Sequence, residues 1–195
     1  MDETSGVLKV AVIGAESTGK TTLCQWLSAG LDGLHFEEPL RQWVARKGRP
    51  PRQDEQLEIV EAQKQQELLG LQQATQTQHK KRWLFCDSAP LVTAAYSRYY
   101  FNDASLDNLA SSHHQANYAA TLFCLPQGLD WVAEPGQRDS PKAREAVHQI
   151  LLELVKPINS DRLIFLSGGL KKRYEFALAL LNRLHFDFAR GPETS

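Results

Sequence analysis

Residues 14–21, with the sequence GAESTGKT, place two glycines, a lysine and a hydroxyl at the spacing of a phosphate-binding loop. Gly14 and Gly19 allow backbone amides to turn toward phosphate oxygens, and Lys20 is long enough to reach the terminal phosphates of a nucleoside triphosphate. The hydroxyl of Thr21 is a suitable ligand for Mg²⁺. The residues expected to contact the nucleotide are Gly14, Ala15, Glu16, Ser17, Thr18, Gly19, Lys20, Thr21 and Thr22.

The segments on either side support this interpretation of the loop. An apolar, β-branched run over residues 7–13 predicts a strand buried on both faces of a parallel sheet. Leu23, Trp26 and Leu27 have helical spacing, so a helix should begin at about residue 20 and add its positive end to an anion site. The alternative is a structural glycine turn. Glu16 is unusual here, because a carboxylate repels phosphates unless it points away, for example into solvent.

Carboxylates follow two further predicted strands, at the sheet edge where ligands bind in open α/β folds. Asp87 ends a strand predicted at residues 82–86, and it suits Mg²⁺, with a helix cap as the alternative role. Glu38 follows a short strand at residues 34–36, and either Glu37 or Glu38 is placed to accept a proton from an acceptor hydroxyl. Helix-end electrostatics alone would also favour a carboxylate at position 38.

Other candidates lie close to these residues in the predicted order of elements. Arg41, one turn after Glu38, pairs with a carboxylate or holds substrate in one interpretation and is solvated in the other. Thr93 and Tyr96, on one face of the helix after Asp87, line an acceptor pocket or belong to the core. The loop at about residues 127–140 carries Arg138, which would screen triphosphate charge when the loop closes as a lid. Arg144, in the next helix, shares this role or is an exposed helix residue. Arg173, with the lysines before it, flanks the nucleotide base or begins a solvated helix.

The order of elements predicts the fold class. Strands alternate with helices along the chain, which indicates an α/β fold with three layers: a parallel sheet with helices on both faces, joined by right-handed crossovers. With no repeat and no linker, residues 1–195 are expected to form a single domain with a P-loop NTPase or kinase fold. Cys24, Cys86 and Cys124 lie in apolar stretches and are expected to be buried thiols rather than metal ligands or disulfides.

Composition excludes several classes of protein. Twenty-two basic residues against 23 acidic ones argue against a broad nucleic-acid-binding face. No segment reaches the ~20 apolar residues of a membrane span, and the acidic, polar start does not resemble a signal peptide. A cytoplasmic protein with a small-molecule partner is therefore expected, with homo-oligomerisation left open.

Four segments in this order resemble a known family: GAESTGKT from residue 14, EPLRQW from 38, CDSAPLVTA from 86 and DWVAEPGQR from 130. They are similar to the ribosylnicotinamide kinase domain of NadR-type proteins, within a wider group of AAA-domain ATPases. The resemblance implies an enzyme that uses ATP and Mg²⁺ to phosphorylate nicotinamide riboside to the mononucleotide. It implies that Gly14 to Thr21 hold the phosphates, Glu38 and Arg41 face the acceptor, Asp87 serves the metal or the proton, and Arg138 belongs to the lid.

Two positions depart from the family pattern. Glu37 stands where the family has an aromatic residue, and Ala89 stands where it has a second acid. Both changes affect the acceptor pocket more than the phosphate loop. The alternatives are a kinase for another nucleoside-like metabolite, an ATPase switch acting on a protein partner, and a noncatalytic nucleotide-binding module. An enclosed acceptor pocket near Glu38, Asp87 and Tyr96 distinguishes the kinase from the switch.

Overall fold

The sheet and its flanking helices are seen in a computed structural model that describes residues 6–76, 82–132 and 140–190, with side chains to residue 184. The strands are β1 (Leu8–Ile13), β2 (Leu34–Phe36), β3 (Trp83–Asp87), β4 (Ala120–Cys124) and β5 (Leu163–Leu166). The helices are α1 (Lys20–Gly30), α2 (Pro39–Lys47), α3 (Gln56–Gln76), α4 (Pro90–Phe101), α5 (Asp107–Asn117), α6 (Pro141–Leu154) and α7 (Leu170–Arg190). Single 3₁₀ turns lie at Gln53–Glu55 and Ser160–Arg162.

All strands are parallel, in the order β2-β3-β1-β4-β5. Alternate residues of β1 belong to two different cores, because successive side chains of a strand point to opposite faces. Val10 and Val12 pack against α1 and α7, whereas Ala11 and Ile13 pack with α3, α4, α5 and α6. The predicted α/β fold with helices on both faces of a parallel sheet is confirmed.

Several helix ends follow local sequence rules. Pro39, Pro90 and Pro141 each stand in a first turn, where a missing amide hydrogen costs nothing. Helix α2 ends at Gly48, whose φ of 69° is in the left-handed region that glycine adopts without strain. The last helix extends from Leu170 to Arg190. None of the helices in the described residues combines the length and the apolar character that crossing a bilayer requires.

A buried polar network closes the amino-terminal edge of the sheet, away from the phosphate loop. Lys9 Nζ donates to Glu67 Oε2 at 2.8 Å, and the Tyr118 hydroxyl and His113 also hydrogen-bond this carboxylate. Burial alone would raise the pKa of Glu67, but the hydrogen bond from His113 and the Lys9 ammonium together hold it below its usual range. The network therefore joins α3 and α5 to β1 through one ionised carboxylate.

His114, next to this network, makes stability depend on pH. Burial lowers its pKa from 6.5 to about 4, and its Nε2 lies 2.7 Å from Thr121 Oγ1. As pH falls below 6.5, His114 becomes protonated in the unfolded chain, whereas in the folded chain it stays neutral until the pH approaches about 4. We expect the free energy of unfolding to fall by about 2 kcal/mol from pH 7 to pH 5 through this residue alone.

Urea denaturation at the two pH values measures this change, with His114→Gln as the comparison. The variant should lose most of the difference between pH 7 and pH 5, since glutamine does not titrate in that range. An unchanged difference in the variant would assign the pH dependence to another group.

Candidate functional site

The segment between β1 and α1 has the conformation of a phosphate-binding loop. Gly14 and Gly19 have φ values of 150° and 75°, in the region that favours glycine, and Gly19 is the residue before the first turn of α1. A Cβ atom at Gly14 would lie 2.5 Å from the Cys124 carbonyl oxygen, and one at Gly19 would lie 2.5 Å from the Leu170 side chain. The Gly14 contact is with backbone, so close packing as well as φ requires glycine there, whereas an added Cβ at Gly19 would have to displace the end of the Leu170 side chain.

The loop already holds its lysine in place. Lys20 Nζ donates to the Ala15 carbonyl oxygen at 3.0 Å, and Thr18 Oγ1 donates to the same carbonyl at 2.8 Å. The Lys20 bond holds the ammonium back over the loop, near the amino terminus of α1, where the first amides of a helix lack intrahelical partners. The arrangement presents a fixed positive charge and a helix terminus to an anion such as a triphosphate.

Asp87 and Thr21 form the candidate metal position. Strand pairing aligns Val12 of β1 with Asp87 of β3, and Thr21 Oγ1 donates to Asp87 Oδ2 at 2.6 Å. The other oxygen, Asp87 Oδ1, is buried without a hydrogen-bond partner in the described residues. A buried carboxylate oxygen beside a hydroxyl fits the oxygen ligands that Mg²⁺ prefers, and Mg²⁺ commonly binds through one or two carboxylates plus substrate phosphates. The residues therefore fit this ion.

Glu38 lies on the far side of Asp87 from β1, because β2 is paired with β3. Burial raises the pKa of Glu38, the attraction of Lys20 opposes that rise, and repulsion from Asp87 adds to it. Arg41 and a hydrogen bond with the Ser88 side chain also stabilise its ionised form. The net pKa lies above that of an ordinary glutamate, which suits a group that takes up a proton during a reaction.

One cleft of about 620 Å³ joins the phosphate loop to the predicted acceptor residues. Its volume is in the range of small-molecule sites. Polar residues lie at the loop end, and Tyr96, Tyr100 and Phe101 form an aromatic end, with the Tyr96 and Tyr100 rings stacked at 6.0 Å. The lining side chains predicted from sequence are Glu16, Ser17, Thr18, Lys20, Thr21, Thr22, Glu38, Arg41, Thr93 and Tyr96.

Glu16 is not solvent-facing, contrary to one of the two interpretations of the sequence. Its side chain is 6% exposed, and Trp131 Nε1 donates to Glu16 Oε1 at 3.0 Å. Beside it, Ser17 Oγ lies 3.2 Å from both the backbone nitrogen and the carbonyl oxygen of Val132. These contacts hold the chain after β4 against the phosphate loop. We call residues 125–132 the strap.

Two buried arginines hold the strap by its carbonyl oxygens. Arg144 Nη2 donates to Leu129 at 2.9 Å and also to Pro126, whereas Arg173 Nη2 donates to Leu125 at 2.7 Å and to Gln127 at 2.8 Å. Of the alternatives that the sequence leaves open, the exposed helix residue is excluded for Arg144 and the solvated helix start is excluded for Arg173, because both side chains are buried. Both guanidiniums lie inward because several backbone carbonyls at this edge need donors.

The structure thus brings most predicted site residues together. Arg138 lies outside the described residues, as does half of the predicted lid. Trp131, Ser88 and Arg173 were missed by sequence reasoning. Ser88 adjoins Asp87 and was considered only as part of a cap, while nothing in the local pattern distinguishes Arg173 from its neighbours Lys171 and Lys172. No cluster of three or more His, Cys, Asp or Glu side chains with metal-binding geometry occurs within the described residues.

Comparison with known proteins supports the fold. A family model described as an AAA domain matches residues 9–173. Crystal structures of NadR, in complex with NAD and AMP-PNP or with NR, superpose with a TM-score of 0.73 at 18% identity, covering 93% of this chain and 50% of theirs. This chain therefore spans half the length of the NadR chains.

Nucleoside and nucleotide kinases have a similar fold. A deoxyadenosine kinase from M. mycoides superposes with a TM-score of 0.62 at 14% identity, covering 90% of this chain and 100% of that one. A thymidylate kinase from Candida albicans gives 0.64 at 14% identity, covering 92% and 93%. At these sequence identities, the structural similarity establishes the fold alone. A search of curated protein sequences found no match.

Gly19→Ala tests whether nucleotide binding depends on the contact of Gly19 with the Leu170 and Leu129 side chains. Gly48→Ala is the matched control, because its φ of 69° is close to the 75° of Gly19 while no atom lies within 4 Å of the added Cβ. Both variants should lose about 1 kcal/mol of stability from left-handed strain. We expect only Gly19→Ala to weaken ATP binding at least tenfold in calorimetry, and equal affinity of the two variants would contradict this.

Proposed function

Since the chain belongs to the AAA-domain family, whose model spans residues 9–173, we propose that it is an ATP- and Mg²⁺-dependent kinase that phosphorylates nicotinamide riboside. The observation that carries the proposal is the single cleft in which the phosphate loop and the Glu38 side chain face the same space. A kinase needs donor phosphate and acceptor hydroxyl in one water-excluding site, because catalysis of phosphoryl transfer is mainly positioning and charge stabilisation.

In the proposed reaction the acceptor lies between Glu38 and the aromatic end of the cleft, and its hydroxyl oxygen attacks the γ-phosphorus of ATP. A bond forms between that oxygen and phosphorus, the bond to the β-phosphate oxygen breaks, and ADP leaves. Glu38 accepts the hydroxyl proton, for which its raised pKa is suited. Lys20 and the amides of the loop offset negative charge on the phosphates.

Thr21 and Asp87 would hold Mg²⁺, which in phosphoryl transfer neutralises charge on the β- and γ-phosphate oxygens. Asp87 is also the alternative proton acceptor. It is buried between Thr21 and Glu38, near both the candidate metal position and the proposed acceptor. The metal role agrees better with its unpartnered oxygen, so Glu38 is the proposed base.

The choice of acceptor rests on the cleft and on the fold. Nicotinamide riboside carries a positively charged aromatic ring, and the acceptor end combines the Glu38 carboxylate with the stacked rings of Tyr96 and Tyr100. Aromatic faces and carboxylates both attract such a cation. The fold likeness to NadR in complex with NR supports the same choice.

Another nucleoside is the second candidate acceptor, favoured by the fold likeness to deoxyadenosine kinase over the full length of that chain. The cleft that runs from the phosphate loop to Glu38 and Tyr96 favours a kinase over an ATPase switch. A cytoplasmic location, homo-oligomerisation and a lid role for Arg138 stay predictions.

The direct test is a Mg²⁺-ATP assay over a panel of nucleosides that includes nicotinamide riboside and deoxyadenosine, with product masses determined. We expect nicotinamide mononucleotide at a rate well above the ATP hydrolysis seen without acceptor. Lys20→Ala should abolish transfer. Acceptor-independent hydrolysis alone would contradict the kinase and support a switch, whereas transfer by Lys20→Ala would contradict the role of the phosphate loop.

Glu38→Gln tests the proposed base. Because the pKa of Glu38 is raised, kcat should rise with pH through that value and be lost as pH falls below it. The variant should lower kcat by about 10²- to 10⁴-fold and lose this acidic limb, with ATP affinity retained. Glu37→Gln is the matched control, since its side chain is adjacent in sequence but exposed. Unchanged turnover in Glu38→Gln would move the base to Asp87.

A further inference from the structure

Arg173 is the largest side chain that the described residues bury completely, at 1% exposure. Its guanidinium donates to backbone carbonyls of three separate segments. Nη1 donates to Thr18 of the phosphate loop at 3.1 Å, Nε donates to Gly168 before α7 at 2.6 Å, and Nη2 reaches Leu125 and Gln127 of the strap. An arginine is rarely buried in this way without a carboxylate, and no carboxylate pairs with it in the described part of the chain.

The contact with Thr18 has a consequence for the next residue. The Thr18 carbonyl and the Gly19 amide belong to one planar peptide unit, and every peptide bond described is trans. In a trans peptide the C=O and N–H bonds point in opposite directions. Holding the Thr18 oxygen on Arg173 therefore turns the Gly19 N–H away from α7. No described residue accepts a hydrogen bond from that amide, and Gly19 lines the cleft.

We propose that Arg173 is a positioning residue, which orients the Gly19 amide toward the phosphates of the nucleotide. The guanidinium does not reach the cleft itself, since Arg173 is not among its lining residues. It acts through the peptide group, whose carbonyl it polarises, and such polarisation also strengthens the N–H as a donor. Its further bonds to Gly168 and to the strap hold the guanidinium in place, so the loop is oriented before any ligand binds.

Substitutions at Arg173 separate two possible contributions of its side chain, namely its positive charge and its ability to orient the Thr18–Gly19 peptide. Lysine keeps the positive charge but lacks the planar fork that reaches carbonyls of three segments at once. Methionine removes both the charge and the donors. If orientation is what matters, Arg173→Lys must behave like a loss of function, although its charge is unchanged.

The test measures binding of inorganic tripolyphosphate by calorimetry, because this probe needs neither base nor acceptor nor turnover. We expect Arg173→Lys to weaken binding about tenfold and Arg173→Met to weaken it further, as expected for losing a hydrogen bond to a charged group. Arg144→Lys is the matched control: Arg144 is also buried and holds strap carbonyls, but it does not contact the phosphate loop. It should lose stability with less than a twofold change in affinity.

Denaturant curves establish that each variant is folded under the conditions of the binding measurement. Wild-type affinity in Arg173→Lys would overturn the proposal, as would equal losses in Arg173→Lys and Arg144→Lys. If the Arg173 variants do not fold, ¹H–¹⁵N spectra of the unchanged protein test whether the Gly19 amide contacts the phosphates. The Gly19 amide proton should shift downfield with tripolyphosphate, and an unmoved resonance would overturn the proposal.

The inference rests on the proposed nucleotide site and not on the acceptor. Absence of tripolyphosphate binding by the unchanged protein would overturn both the proposed function and this inference. Binding by the unchanged protein that the Arg173 variants retain would overturn only the role of Arg173.

Discussion

The pairing of Val12 with Asp87 is the constraint on which the candidate site depends. Parallel strands bring their carboxyl ends to one edge, and this register sets the last residue of β3 beside the start of the phosphate loop. The 2.6 Å hydrogen bond between Thr21 and Asp87 then becomes possible across 66 residues of chain. A shift of one residue would turn Asp87 toward the opposite face, because side chains alternate along a strand.

Many polar groups lie at the edge of the sheet where the strands have their carboxyl ends. Five strands end at one side of the sheet, and the segments that follow them have few ladder partners for their carbonyls. Side chains supply the missing donors: Arg144 and Arg173 for the strap, Thr18 and Lys20 for Ala15. The loops are therefore held by long, charged side chains from α6 and α7, and the fold carries buried cations where an anion is expected to bind.

Prediction from sequence was most successful where a residue type has one well-defined local role in the structure. The glycines and lysine of the loop, the apolar run of β1 and the prolines at helix starts all constrain the backbone locally, so the elements and the phosphate loop were predictable. The environments of Arg144, Arg173 and Glu16 were not. Each depends on a partner more than 15 residues away or on another loop, and a charged residue in a helix pattern is normally exposed.

The three cysteines lie on both sides of the sheet, Cys86 in one core and Cys24 and Cys124 in the other. Burial raises the pKa of all three thiols, to about 11 for Cys124. The thiolate is the reactive species, so none of them should be modified while the chain is folded. A slow alkylating reagent would therefore label only molecules in which the flanking helices have separated from the sheet. Each layer carries its own thiol, so the order of labelling would tell which side of the sheet opens first.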